Sequence, residues 1–212
     1  MGLGSLVALA FAIAPAEGAK PIVQNEQVAV WDVSWAEGQT SPAWDRDTVL
    51  VFLTAASLAT TGPDGRSHVV SHQPGDVEFV PKGLTSQRRG ASKEVARAIA
   101  IQLQGHSPPA LANTAGVRDA FDRPGIEKAL DNEEVTAWRY TWAFGKKTPL
   151  HLHARDVVVV YLADGVLKSI TPDGKSVLNP HSFGFTKFSP RGRVHYEELV
   201  EGKASAVMVE LK

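Results

Sequence analysis

Asn132-Glu133-Glu134-Val135-Thr136-Ala137-Trp138 repeats Asn25-Glu26-Gln27-Val28-Ala29-Val30-Trp31. Trp35-Ala36 and Gly38 return as Trp142-Ala143 and Gly145, and Pro42 returns as Pro149, at a constant offset of 107. Beyond that point the offset is 109: Arg46-Asp47 matches Arg155-Asp156, Pro63-Asp64-Gly65-Arg66-Ser67 matches Pro172-Asp173-Gly174-Lys175-Ser176, and Pro81-Lys82-Gly83 matches Pro190-Arg191-Gly192. A chain that repeats itself at a fixed period builds one structural unit more than once. The expected organisation is two equivalent domains, 23–105 and 132–212, joined by a linker over 106–131.

Each copy reads as strands. Trp138, Tyr140 and Trp142 alternate with Arg139 and Thr141, which puts the aromatic side chains on one face of a strand and against a core. Val157 to Leu162 is a continuous apolar run rich in β-branched residues, as in a strand buried on both faces. Asp64-Gly65 and Asp173-Gly174 stand between extended stretches and predict hairpin turns, because that pair tolerates positive φ. Short strands separated by turns predict an all-β sandwich or small barrel in each copy. Ser92 to Ala100 has helical composition, but the repeat maps Ala98-Ile99-Ala100 onto Val207-Met208-Val209, a predicted strand. The linker is the better helical candidate, through Val117-Arg118-Asp119-Ala120-Phe121 and Gly125-Ile126-Glu127-Lys128-Ala129-Leu130, interrupted by Pro124.

Composition narrows the chemistry. The 212 residues are 43% hydrophobic and 21% charged with a formal net charge of -1, so the chain has no electrostatic footprint for nucleic acid or anionic membrane. There is no cysteine, which excludes disulfides, iron–sulfur clusters and thiol nucleophiles and leaves nitrogen and oxygen as the only metal donors. Leu3 to Ala14 is an apolar run ending in Ala14-Pro15-Ala16, a small-x-small cleavage pattern, although Met1-Gly2-Leu3-Gly4-Ser5 lacks the basic residues of an export signal. Residues 1–19 are read as an export segment too short to span a bilayer, and the expected location is periplasmic or secreted.

His151-Leu152-His153 and His195 carry the functional signal. Two histidines at i and i+2 on a strand point the same way, and a third from a later strand can complete one face of a metal site. The offset change means that the first copy lacks two residues just where the second carries His-x-His, and the position equivalent to His195 is Ser86. All three imidazoles are absent from one copy and present in the other, whereas core histidines with unrelated packing roles have no reason to vary as a set. Imidazole suits Fe, Mn, Ni, Zn or Cu, so the donors alone leave the divalent metal open.

These residues resemble the two motifs of a cupin. Gly145, His151, His153 and Gly165 fit the first motif, and Gly184, Pro190, Gly192 and His195 fit the second. The first copy keeps Gly75, Pro81 and Gly83 of the second motif without its histidine, so the whole chain is similar to a bicupin. The resemblance implies two tandem double-stranded β-helix (jelly-roll) barrels, the C-terminal one binding metal. Cupins with four protein ligands carry a Glu after His-x-His, here at Val157 or Val158; Asp156 is the nearest substitute. Asp47 persists at the equivalent place in the copy without histidines, which favours a turn role for this Asp. A three-histidine site with an open face resembles cupin dioxygenases, implying an iron-dependent oxygenase acting on a small molecule; the alternative is a non-catalytic module binding a small ligand or sugar.

Glu197, two residues beyond His195, is the candidate general acid or base, and Tyr140 and Tyr161 are weaker candidates for contact with a substrate. His181, placed in a loop before Gly184, and His68, His72 and His106 are read as non-ligands. A third reading puts a ligand pocket in the N-terminal copy, lined by Trp44, Asp45 and Ser86. A homodimer through an outer sheet face is also expected, since jelly-roll sheets commonly bury one against a partner.

Overall fold

The computed structural model describes residues 20–41, 44–62, 64–83, 87–114 and 116–212; the expected export segment, Pro42 and Ser86 lie outside these. Every regular element among the described residues is a strand, and none is a helix that could cross a membrane.

The N-terminal half forms a five-stranded sheet in the order Val23–Gln24, Val28–Trp35, Ala96–Leu103, Thr48–Phe52, Val77–Val80, and a four-stranded sheet in the order Thr40–Ser41, Gln87–Gly90, Ala56–Thr61, Ser67–His72. The C-terminal half repeats the large sheet as Glu127–Asp131, Val135–Trp142, Ala204–Leu211, Val157–Tyr161, Thr186–Ser189. Its second sheet runs Arg118–Asp119, His151–Leu152, Val194–Gly202, Gly165–Ile170, Ser176–His181. Both predicted hairpins form, with Gly65 and Gly174 at φ +77° and +82°.

Strand periodicity explains why the central strands carry no polar face. Val49 and Val51 join Val158 and Val160 in a core shared by the two large sheets, together with Val28, Ile99, Val135 and Val209. Leu50 and Phe52 turn the other way into a core within the N-terminal half, and Val157, Val159 and Tyr161 into a core within the C-terminal half. Each such side chain contributes about 1.5–3 kcal/mol relative to exposure. The aromatic alternation also holds: Trp138, Tyr140 and Trp142 face the C-terminal core. Arg139, on the opposite face, donates to the Gly75 carbonyl at 2.8 Å and pairs with Asp76 at 3.1 Å, tying the halves together.

Three expectations are corrected. The linker is not helical: Arg118–Asp119 pairs in parallel with His151–Leu152, and Glu127–Asp131 pairs antiparallel with Val135–Trp142. The runs on either side of Pro124 are too short to pay for helix nucleation, and free sheet edges take them instead. His181 ends a strand rather than sitting in a loop, and is 8% exposed. Finally, Val28 pairs with Leu103 and Val135 with Leu211, so the last strands match as Ala98-Ile99-Ala100 with Ala206-Val207-Met208, one residue from the expected register. The connection from Gly90 to Ala96 is one residue longer than its counterpart from Leu199 to Ala204. The shift keeps Val207 in the shared core and Met208 in the C-terminal one.

Candidate metal centre

Strand register brings the three histidines together. His151 lies directly opposite His195 on the antiparallel neighbour, and the Pro190–Gly192 turn delivers that neighbour to the site. Gly192 adopts φ +86° and donates its amide to the His153 carbonyl at 2.8 Å, while the His153 amide donates to Arg193 at 3.0 Å. Positive φ at this turn explains the need for glycine.

The imidazoles are 1%, 7% and 2% exposed at His151, His153 and His195, and their candidate donor atoms all lie within 4.8 Å of one another. His151 Nδ1 donates to the Pro149 carbonyl at 2.8 Å, which leaves Nε2 bare, buried and without a partner. His153 Nδ1 is also buried without a partner, and His153 Nε2 and His195 Nε2 are 3.2 Å apart, sharing one proton between them. His195 Nδ1 contacts Ser169 Oγ at 2.6 Å and Arg193 Nη2 at 3.2 Å. Burial lowers the pKa of all three: His153 falls well below the ordinary range, further depressed by the other two imidazoles, and His195 is pushed down to about 2, with Arg193 adding to the effect. Neutral imidazoles whose nitrogens lie this close together suit a divalent metal, which would take the place of the proton between His153 and His195, and an orphaned buried nitrogen such as His151 Nε2 is otherwise costly.

Asp156 is not part of this cluster. Its Oδ1 accepts from the Arg191 amide at 2.7 Å and its Oδ2 from Gln27 Nε2 at 2.9 Å, so both oxygens are occupied. Asp47 does the same for the equivalent turn, accepting from the Lys82 amide at 2.7 Å. The shared acid fixes the Pro-x-Gly turn, which explains its presence in the copy without histidines.

Glu197 and Tyr161 line a narrow cavity with His153, Lys187 and Arg193. Glu197 Oε2 accepts from Trp142 Nε1 at 3.1 Å and lies 3.9 Å from Arg123 Nη1. Tyr161 stacks on His181 at 4.1 Å, and burial raises its phenol pKa. His181 places its ring nitrogens 3.3 Å from the backbone oxygens of Asn179 and Lys203, a packing role. Tyr140 is not among the residues lining this cavity and carries the Arg123 guanidinium on its ring at 4.0 Å.

Of the residues expected to line a pocket in the N-terminal copy, Trp44, the counterpart of His153, is 3% exposed within the N-terminal core. Asp45 accepts from Gln102 at 3.2 Å and lines a surface cavity of about 310 Å³ with Asp47, Lys82 and Glu134, and Ser86 lies outside the described residues.

Arg123, Lys187, Arg193 and Ser169 were missed by sequence reasoning. The internal alignment held a signal for Lys187, because the offset of 109 sets it against Glu78 and sets Glu197 against Arg88. Strand pairing confirms both matches: Leu50 pairs with Glu78 as Val159 does with Lys187, and Thr60 with Arg88 as Ser169 does with Glu197. Glu78 and Arg88 form an ion pair whose arginine is 3% exposed. Arg123 lies in the unrepeated linker and had no counterpart to reveal it.

No family model matches the chain, and no curated protein matches its sequence. Among solved structures, a cupin 2 conserved barrel domain protein from Leptotrichia buccalis is similar at a TM-score of 0.54 and 13% identity, covering 91% of this chain and 87% of that one. Oxalate decarboxylase from Bacillus subtilis is similar at a TM-score of 0.63 and 12% identity, covering 88% and 68%. Salicylate 1,2-dioxygenase from Pseudoaminobacter salicylatoxidans is similar at 0.60 and 9%, covering 87% and 68%. At these identities the likeness is one of fold, and the fold of this chain is that of the cupin 2 conserved barrel domain protein.

Proposed function

We propose that the chain is an exported bicupin whose C-terminal barrel holds a divalent transition metal through His151, His153 and His195 and acts as a metal-dependent oxidoreductase, of the dioxygenase type, on a small molecule. The observation that carries this reading is the convergence of three neutral, buried imidazoles with donor atoms within 4.8 Å, two of whose nitrogens have no partner. Neighbours of the same fold include an oxalate decarboxylase with Mn(II) centres and a salicylate 1,2-dioxygenase, which supports metal-assisted chemistry at this position. A bound divalent metal supplies Lewis-acid or redox chemistry.

The chain's own groups have assignable tasks. The Pro149 carbonyl fixes the His151 tautomer, and Ser169 orients His195. Glu197, held at Oε2 by Trp142, keeps Oε1 for taking or returning a proton in the cavity. The N-terminal barrel, with no imidazole set, serves packing. Exposed Val177 and Leu178 on the edge strand Ser176–His181 support pairing with a second copy.

A second reading, a non-catalytic module for a small ligand or sugar, is favoured by the cavity volume of about 20 Å³, room for about one water. Metal analysis of untagged protein tests the site: one equivalent of metal is expected, lost in His151→Ala, and unchanged content in that variant would sink the assignment. Oxygen consumption with a panel of thiols and diketones, compared with His195→Ala, separates enzyme from binding module.

A further inference from the structure

We infer that the cavity beside the triad is a subsite for a small carboxylate, held by Lys187 and Arg193. The inference rests on the proposed metal site for its setting but on different residues for its evidence. Three side chains with opposed charges line the cavity: Lys187, Arg193 and Glu197. One carboxylate does not balance the cations around it, because Glu197, held by Trp142 Nε1, also lies 3.9 Å from a third cation, Arg123. Arg123 is 2% exposed, stacked on Tyr140 and Trp142, with Glu197 as its sole carboxylate neighbour among the described residues.

Lys187 therefore forms no ion pair among the described residues, and the Glu197 charge reaches it only from across the cavity. Among the described residues its ammonium has one contact, the face of Tyr161 at 5.7 Å, and burial lowers its pKa. Arg193 contacts only neutral groups, donating to Ser189 Oγ at 2.7 Å and approaching Ser169 Oγ and His195 Nδ1. Two half-buried cations facing one cavity repel each other, and a divalent metal at three neutral histidines would add to the excess. An anionic ligand balances them.

The N-terminal half shows the same two positions with their charges matched. There Glu78 and Arg88 pair with each other, so neither charge is left over, although Glu78 also lines a surface cavity of about 350 Å³. In the C-terminal half the charges are reversed and Arg123, from outside the repeat, takes the carboxylate and frees Lys187. The cavity volume of about 20 Å³, room for about one water, admits the oxygen end of a carboxylate whose remainder lies outside.

Titration calorimetry of manganese-loaded and metal-free protein with formate, against formamide as the neutral isostere, tests this. Formate is expected to bind at least about tenfold more tightly than formamide, and Lys187→Met to lose about tenfold in formate affinity with metal content unchanged. Lys187→Arg, which keeps the charge, is expected to retain most of the binding. Equal binding of formate by wild type and Lys187→Met, or of formamide and formate by wild type, overturns the subsite. A protein that takes up no manganese but still shows a Lys187-dependent preference for formate would refute the metal reading and uphold the subsite.

Discussion

Trp44, Phe52 and the Glu78–Arg88 ion pair occupy in the N-terminal half the positions that His153, Tyr161, Lys187 and Glu197 occupy in the C-terminal half. Strand order in the large sheets is the same, and even the stacked pair Phe52–His72 returns as Tyr161–His181. The scaffold therefore does not depend on the site. One half fills the space between its sheets with an indole and an ion pair, although Trp44 Nε1 and Arg88 Nε are left unpartnered; the other gathers three imidazoles and an excess of cations there. Unpartnered nitrogens occur in both halves, and what sets the C-terminal half apart is that its imidazole nitrogens lie together, within reach of one ion.

Removing the N-terminal half should break the comparison most severely. Residues 106–212 alone would expose Val135, Val158, Val160, Val207 and Val209, all completely buried in the shared core. Circular dichroism and size-exclusion chromatography should show an unfolded or aggregated product, and a well-folded monomer would contradict the shared core. Next in size, Trp44→Ala should cost about 3–5 kcal/mol by chemical denaturation, because the indole is buried and its neighbours cannot collapse fully.

The paired cation of one half, Arg88, and the cation without an ion pair in the other, Lys187, should respond in opposite directions. Arg88→Met should destabilise by about 2 kcal/mol, since it leaves Glu78 partly buried without its partner, and adding Glu78→Leu should restore most of the loss. Lys187→Met in metal-free protein should leave stability unchanged or raise it by up to about 1 kcal/mol, because it removes an unpaired cation. Comparable losses in both variants would show that Lys187 is neutralised after all.

The smallest effect concerns acid. Burial lowers the His72 pKa in the fold, so the unfolded chain binds the extra proton first. Its contribution to stability is complete above about pH 6.5 and is lost as pH falls from there through the lower folded value. Denaturation at several pH values should show a shallower acid loss in His72→Phe than in wild type.

Much of this was readable from the chain. The offset between copies gave the duplication, and strand periodicity gave both faces of Val157–Tyr161. The joint absence of three imidazoles from one copy pointed to the triad before any geometry. Charge at the cavity was less legible: Lys187 sits two positions from the exposed Phe185 in an ordinary strand, and nothing local marks it as inward-facing. Arg123 was hidden for a topological reason, because its segment reaches the site only through parallel pairing of Arg118–Asp119 with His151–Leu152. The linker's helical composition misled because propensity is weak beside an open sheet edge.

The back-to-back packing of the two large sheets has a thermodynamic corollary. With Val49, Val51 and Ile99 sharing one core with Val158, Val160 and Val207, neither half can melt while the other stays intact. A ligand bound only by the C-terminal half would then raise the unfolding temperature of the N-terminal half by the same amount, through linkage rather than contact. The half without a site would act as a passive reporter of its occupied twin.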